Sequence, residues 1–147
     1  MSLWFETKVR YDKVMETGAQ KSVSESFLVD AMSFTEAEAR VTKEMEPFIT
    51  GDFSVSAVKK NKFMDVFFKE DADRWYKVKS AFITIDEKTA AEKRSNNFFL
   101  VQAGSLKEAL QNFEDCMKGT LADYEIVAIT ETPILDVFTC EVTEAQG

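Results

Sequence analysis

The side chains that most often carry chemistry are thinly supplied in this sequence. Its 147 residues contain no histidine and two cysteines. Without His there is no ordinary general base near neutral pH and no Ser-His or Cys-His nucleophile. His-based zinc and facial-triad iron sites are excluded with it. Cys116 and Cys140 are too few for a structural zinc site. Cys116 stands beside Met117 on the apolar side of a predicted helix, which reads as a core thiol and not a nucleophile. The chain starts without a basic region followed by an apolar run, so two buried, reduced thiols and a cytoplasmic setting are expected.

Carboxylates are the remaining candidates for acid–base or metal work. Glu36/Glu38, Glu44/Glu46 and Glu114/Asp115 fall on predicted helices, where neighbours at i+1 or i+2 do not face each other. They read as solvated helix faces. Asp52/Asp123 and Asp65/Asp136 occupy matching places in the two halves of the chain. A shared backbone-capping job at strand starts is the expectation for them. The alternative is a carboxylate pair that holds a divalent ion. The five glycines fall into none of the spacings that cradle a nucleotide. No catalytic residue, metal or cofactor is therefore assigned, and a non-enzyme is expected.

Basic residues near aromatics form the one pattern that points to a ligand. Lys59-Lys60-Asn61-Lys62-Phe63 reads as a basic turn beside a ring, and Lys77 and Lys79 flank Trp75 and Tyr76. Lysines around aromatic platforms are how sequence-tolerant single-strand binders work. Against this stands a net charge of −8 and a pI near 4.7, which repel phosphate backbones at long range. Lysines at a strand edge also serve simply to discourage strand-to-strand association.

The elements that must position these groups come from an internal repeat. Phe27 to Ala37 aligns with Phe99 to Ala109, identical at Phe, Leu, Val, Ala, Ser, Glu and Ala. The match extends upstream through Trp4-Phe5 and Trp75-Tyr76, and downstream through Asp52-Phe53 and Asp123-Tyr124 to Asp65-Val66-Phe67 and Asp136-Val137-Phe138. One globular domain over 1–147, made of repeats 4–68 and 75–140, is the expected organisation. In each repeat a strand alternating in period two (Phe5, Thr7, Val9, Tyr11) meets a hairpin turn near Thr17–Gln20 and a returning strand. Ser33-Phe34-Thr35-Glu36 and Ser105-Leu106-Lys107-Glu108 are capping boxes that open helices. Phe34, Ala37, Val41 and Met45, and Leu106, Ala109, Leu110, Phe113 and Met117, form their apolar stripes. Pro47 and Gly119 close the helices, and two short β-rich runs follow each. The fold class is α+β: a tandem ββαββ module, with antiparallel sheet, one helix laid on each module, and the modules related by a pseudo-twofold. Whether the strands make one sheet or two stays open.

Trp4 and Trp75 fall on the sheet face opposite Phe5 and Tyr76, with Met64, Phe68, Ala81, Ile83 and Ile85 as candidates to join them. Two readings stand side by side. The other repeat covers that face, or it is the interface of a homodimer or an unknown protein partner. No run approaches eighteen apolar residues, so no membrane span is expected.

Trp4-Phe5-Glu6-Thr7-Lys8-Val9-Arg10-Tyr11, Phe27 to Ala31 and Ser33 to Arg40 resemble a domain-of-unknown-function family of gut Bacteroidetes, their mobile elements and phages. The resemblance runs from Trp4 to about Phe138 and includes Ala72 to Trp75 and Lys118 to Tyr124. It implies a bacterial cytoplasmic setting and an accessory role, and carries no functional residues with it. The expected function is a non-enzymatic binding or interaction protein that self-associates. The alternative is a nucleic-acid-associated accessory protein of a phage or mobile element, using Lys59, Lys60, Lys62, Phe63, Lys77 and Lys79.

Overall fold

A computed structural model describes residues 3–139. The first repeat forms β1 (Trp4–Val14), β2 (Gln20–Asp30), α1 (Phe34–Met45), β3 (Phe53–Asn61) and β4 (Phe63–Phe67). The second forms β5 (Arg74–Ile85), β6 (Glu92–Ala103), α2 (Leu106–Cys116), β7 (Asp123–Glu131) and β8 (Ile134–Phe138). The ββαββ order expected from the sequence is met twice.

Each repeat opens on a long hairpin. β1 and β2 pair antiparallel from Trp4 opposite Asp30 to Val14 opposite Gln20, and β5 and β6 from Arg74 opposite Ala103 to Ile85 opposite Glu92. The first turn uses Gly18 at φ +87°, a left-handed conformation that costs glycine nothing. The second is tied by Asp86, whose Oδ1 accepts hydrogen bonds from the Lys88 and Thr89 amides at 2.8 and 3.3 Å.

Both helices start as their capping boxes require. Ser33 Oγ accepts from the Glu36 amide at 3.1 Å, and Glu36 Oε1 accepts from the Met32 amide at 2.7 Å. In the second repeat Ser105 Oγ accepts from Glu108 at 3.2 Å, and Glu108 Oε1 from Gly104 at 3.1 Å. The carboxylate reaches one residue further back than the usual box, in both repeats alike. The buried stripe then runs through Ala37, Val41 and Met45, and through Ala109, Phe113 and Met117. Phe34, Leu106 and Leu110 were expected on those stripes but stand at their exposed margin.

The sheets depart from expectation in one respect. There are two, ordered β3-β1-β2-β8 and β4-β6-β5-β7. The last strand of each repeat therefore lies in the sheet built by the other repeat, and pairs parallel there: β8 with β2, and β4 with β6. The sheets are mixed, not purely antiparallel, and a helix does not rest on strands of its own repeat alone.

Chain reach explains the exchange. Within its own sheet, β4 would have to leave β3 at one edge and re-enter beside β2 at the far edge. Three strand spacings separate those places, about 14 Å. Lys62 is the only residue between β3 and β4, and Thr132-Pro133 the only ones between β7 and β8. With one and two residues between them, the flanking strand ends stand at most about 7 and 10 Å apart. The links are too short for the crossing, so the strand carries on into the other sheet.

The chain accordingly divides into two compact units, Phe63–Thr132 and the remainder on either side of it. In the unit built on β1 and β2, Phe5, Val9, Phe27 and Val29 pack against Ala37 and Val41, and the exchanged Phe138 ring stacks on Phe27 at 5.7 Å. Arg40 of α1 donates to the Thr139 carbonyl at 2.8 Å, which fastens the chain just past β8. In the unit built on β5 and β6, Val78, Phe99 and Val101 pack against Phe113 and Met117, and the exchanged Phe67 stacks on Phe99 at 5.6 Å.

Candidate interaction surface

Lys59 and Lys60 lie at the end of β3 and not in a turn, which corrects their expected setting. β3 is the edge strand of its sheet. Lys59 stands opposite Glu6 and Lys60 opposite Phe5, so the two side chains leave the strand on opposite faces. Lys59 borders an open hollow of about 240 Å³ with Glu6, Lys8 and Ser26. Lys62 is exposed at the joint between the units' edge strands.

Phe63, Lys77 and Lys79 belong to the other unit, and there the register gathers them. Phe63 of β4 and Lys79 of β5 both lie opposite Phe98 of β6, on the face away from α2. The Lys77 ammonium sits 5.4 Å from the centroid of the same ring. Phe98 was not singled out from the sequence. Alternation along β6 was the available signal, because it sends Phe99 into the core and Phe98 to the opposite face. Trp75 and Tyr76, the rings read as platforms for Lys77 and Lys79, are each 2% exposed, so neither offers a face on which a base could stack.

Trp4 is likewise buried, and the Phe68 ring stands edge-on to Trp75 at 5.4 Å. Of the residues expected to share their face, Ala81 is buried, Ile83 half-buried, and Met64, Phe68 and Ile85 exposed.

Two of the four recurring aspartates act on the backbone. Asp65 and Asp136 each accept, through Oδ1, the amide of the next residue at 2.8 Å. Both sit where the parallel pairing slips by one residue, leaving Met64 and Leu135 as the extra residues. Asp52 and Asp123 are exposed at the starts of β3 and β7. Among the described residues no group of three or more His, Cys, Asp or Glu side chains comes together.

Cys116 requires a correction: it is exposed on the last turn of α2, not buried in the core. The stripe passes through Phe113 and Met117, and Cys116, one residue before Met117, turns about 100° away from it. Partial desolvation pushes its thiol up from the ordinary value, and the carboxylates of Asp115 and Asp65 add to the rise. An electropositive setting would do the reverse, so this is not an activated thiolate. Cys140 lies outside the described residues.

Apolar exposure, by contrast, recurs between the repeats. Phe34 and its equivalent Leu106 are 54% and 55% exposed, at the first position of each helix. Met64 and its equivalent Leu135 are 57% and 53% exposed, at the two matching bulges.

A family model described as a domain of unknown function (DUF4494) matches residues 3–140. No curated protein and no solved structure matches the chain.

Proposed function

We propose, for a chain that belongs to the DUF4494 family, a non-enzymatic binding role in which it associates with copies of itself or with another protein. The observation that carries this reading is the recurring apolar exposure. At Phe34/Leu106 and Met64/Leu135 the residue type has changed between repeats while a large apolar side chain has stayed in water. Phe34 sets one edge of its ring on Phe5 at 5.1 Å yet keeps about half of its surface in water, and recurring apolar exposure of this kind marks contact surfaces. The absence of histidine from the sequence and the upward-shifted Cys116 thiol fit a protein that binds and does not catalyse. No helix among the described residues is long and apolar enough to cross a membrane.

Sedimentation velocity over a wide concentration range tests the self-association. Association that weakens in Phe34→Ser and Leu106→Ser supports the reading. A strict monomer that also captures no protein would end it.

A second reading, contact with single-stranded nucleic acid, rests on the Lys77 ammonium over Phe98 with Lys79 and Phe63 beside that ring. It expects salt-sensitive retention on single-stranded DNA or RNA that Lys77→Ala and Lys79→Ala abolish, with Lys59, Lys60 and Lys62 contributing less. Absence of retention at low salt removes it.

A further inference from the structure

β3 and β7 are equivalent strands, one in each unit, and each ends its sheet. Both are nine residues long. Both carry a bulge at the same place, opposite Lys8/Val9 and opposite Lys79/Ser80. Both send the same positions toward their helix: Phe53, Val55 and Val58 in one, Tyr124, Ile126 and Ile129 in the other. A free edge of this kind is a template for another strand.

The two edges differ in charge. β3 ends in exposed Lys59 and Lys60 and carries no acid. β7 carries exposed Asp123, Glu125 and Glu131 and no base, with Thr130 and Glu131 where the first repeat has Lys59 and Lys60. Paired antiparallel with their helix-facing residues matched, two β3 edges set Lys59 and Lys60 opposite Ser54 and Phe53, and two β7 edges set Glu125 opposite Thr130, so neither like pairing forms an ion pair. Each also gathers charge of one sign along the shared edge, which repels at low salt. Only the unlike pairing sets a base across from an acid.

We infer that the edge of β3 in one copy of the chain receives the edge of β7 from a second copy, in antiparallel register, an assignment that rests on the self-association proposed above. Placing Val58 opposite Ile126 and Val55 opposite Ile129 keeps every helix-facing residue on its own face. The same register sets bulge against bulge and Lys59 opposite Glu125. Arg94 already contacts Glu125 at 2.7 Å, but that ion pair is about half exposed on both sides and so holds the carboxylate weakly. An unlike contact of this type is heterologous, so it extends head-to-tail unless the rotation closes a ring.

Charge reversal in the full-length chain tests this. Sedimentation velocity at low salt is expected to show concentration-dependent association that weakens at least about tenfold when salt rises to about 0.5 M. K59E/K60E and D123K/E125K are each expected to remain monomeric. An equimolar mixture of the two is expected to regain a complex, because the reversed edges are again complementary. K59Q/K60Q, a milder change at two exposed positions, should weaken association in the same direction if the double reversal impairs folding. Wild-type association that survives in both reversed variants, or a mixture that stays monomeric, overturns the edge pairing and leaves self-association standing. A wild-type chain that is monomeric at low salt overturns both.

Discussion

The two units meet one packing problem with different residues. Along the central strand of the first, the helix-facing positions read Phe5, Thr7 and Val9; in the second they read Tyr76, Val78 and Ser80. Each unit buries one aliphatic hydroxyl on that strand, at different places, and each of these finds a carbonyl. Thr7 Oγ1 donates to Phe27 O at 3.0 Å, and Ser80 Oγ to Glu125 O at 3.3 Å. The smaller Ser80 stands on the strand where the first unit has Val9, and the larger Phe113 on the helix where it has Val41. The Phe113 ring then meets Phe99 at 5.1 Å and Tyr124 at 5.8 Å, ring contacts that Val41 cannot make at the matching place in the first core. What the duplication has held constant is which positions are buried and the satisfaction of these two hydroxyls, not identity.

The strongest way to break the comparison is at the exchanged strands. Phe138→Ala is expected to cost about 2–4 kcal/mol, somewhat below a fully buried Phe because the ring is half-buried. The location of the damage is the sharper readout. Hydrogen exchange should accelerate in β2, which belongs to the other repeat, and stay slow in β6. Phe67→Ala should do the converse, loosening β6 where its ring stacks on Phe99. If each variant instead loosened its own repeat's hairpin, the strand exchange would be wrong.

A double-mutant cycle tests whether these two sizes are coupled. Phe113→Val leaves a cavity and should cost about 2–3 kcal/mol, while Ser80→Val overfills a core already holding that ring and should cost about 1 kcal/mol. Together they restore the first unit's pairing of Val9 with Val41. The double variant should therefore be more stable than additivity predicts, by about 1 kcal/mol. Additive losses in chemical denaturation would show that the two units do not trade volume between strand and helix.

The capping boxes are where the units agree most closely, and they set a smaller effect. Ser33→Ala and Ser105→Ala should each lose about 1 kcal/mol, and by similar amounts, since both hydroxyls accept the same amide at 3.1 and 3.2 Å. A large difference between them would mean that one helix start is held by something other than its cap.

Duplication made most of this fold readable, because every element was written twice. The hairpin periodicity, the two serine caps and the buried Ala-Val-Met and Ala-Phe-Met stripes are local patterns, and local patterns survive in sequence. The strand exchange is not local. It follows from the shortness of Lys62 and of Thr132-Pro133, and that shortness acquires meaning only once the order β3-β1-β2 is known. The interaction surface was half legible for a similar reason. Alternation gave the faces of Lys77 and Lys79, but that they meet Phe98 and not Trp75 or Tyr76 depends on cross-strand register. Cys116 was misread because its neighbour Met117 is buried, and adjacent helix positions point about 100° apart.

Cys116 supplies the smallest effect and a difference between the units, since the first has Glu44 at the equivalent place. Exposure alone would make it the reactive thiol of the chain. Its surroundings argue the opposite, because partial burial and the Asp115 and Asp65 carboxylates raise its pKa above the ordinary thiol value. In a Cys140→Ser background, alkylation near neutral pH should be slower than that of a free cysteine, as fewer molecules carry the thiolate. Asp115→Asn removes one of the two charges and should speed it. The linked effect on stability has a fixed sign. A thiol held protonated in the folded state costs stability as pH rises past its unfolded pKa, and the loss stops above the folded one. Alkylation faster than a free cysteine would mean that the carboxylates do not govern this corner of α2, and that the thiol deserves a functional reading after all.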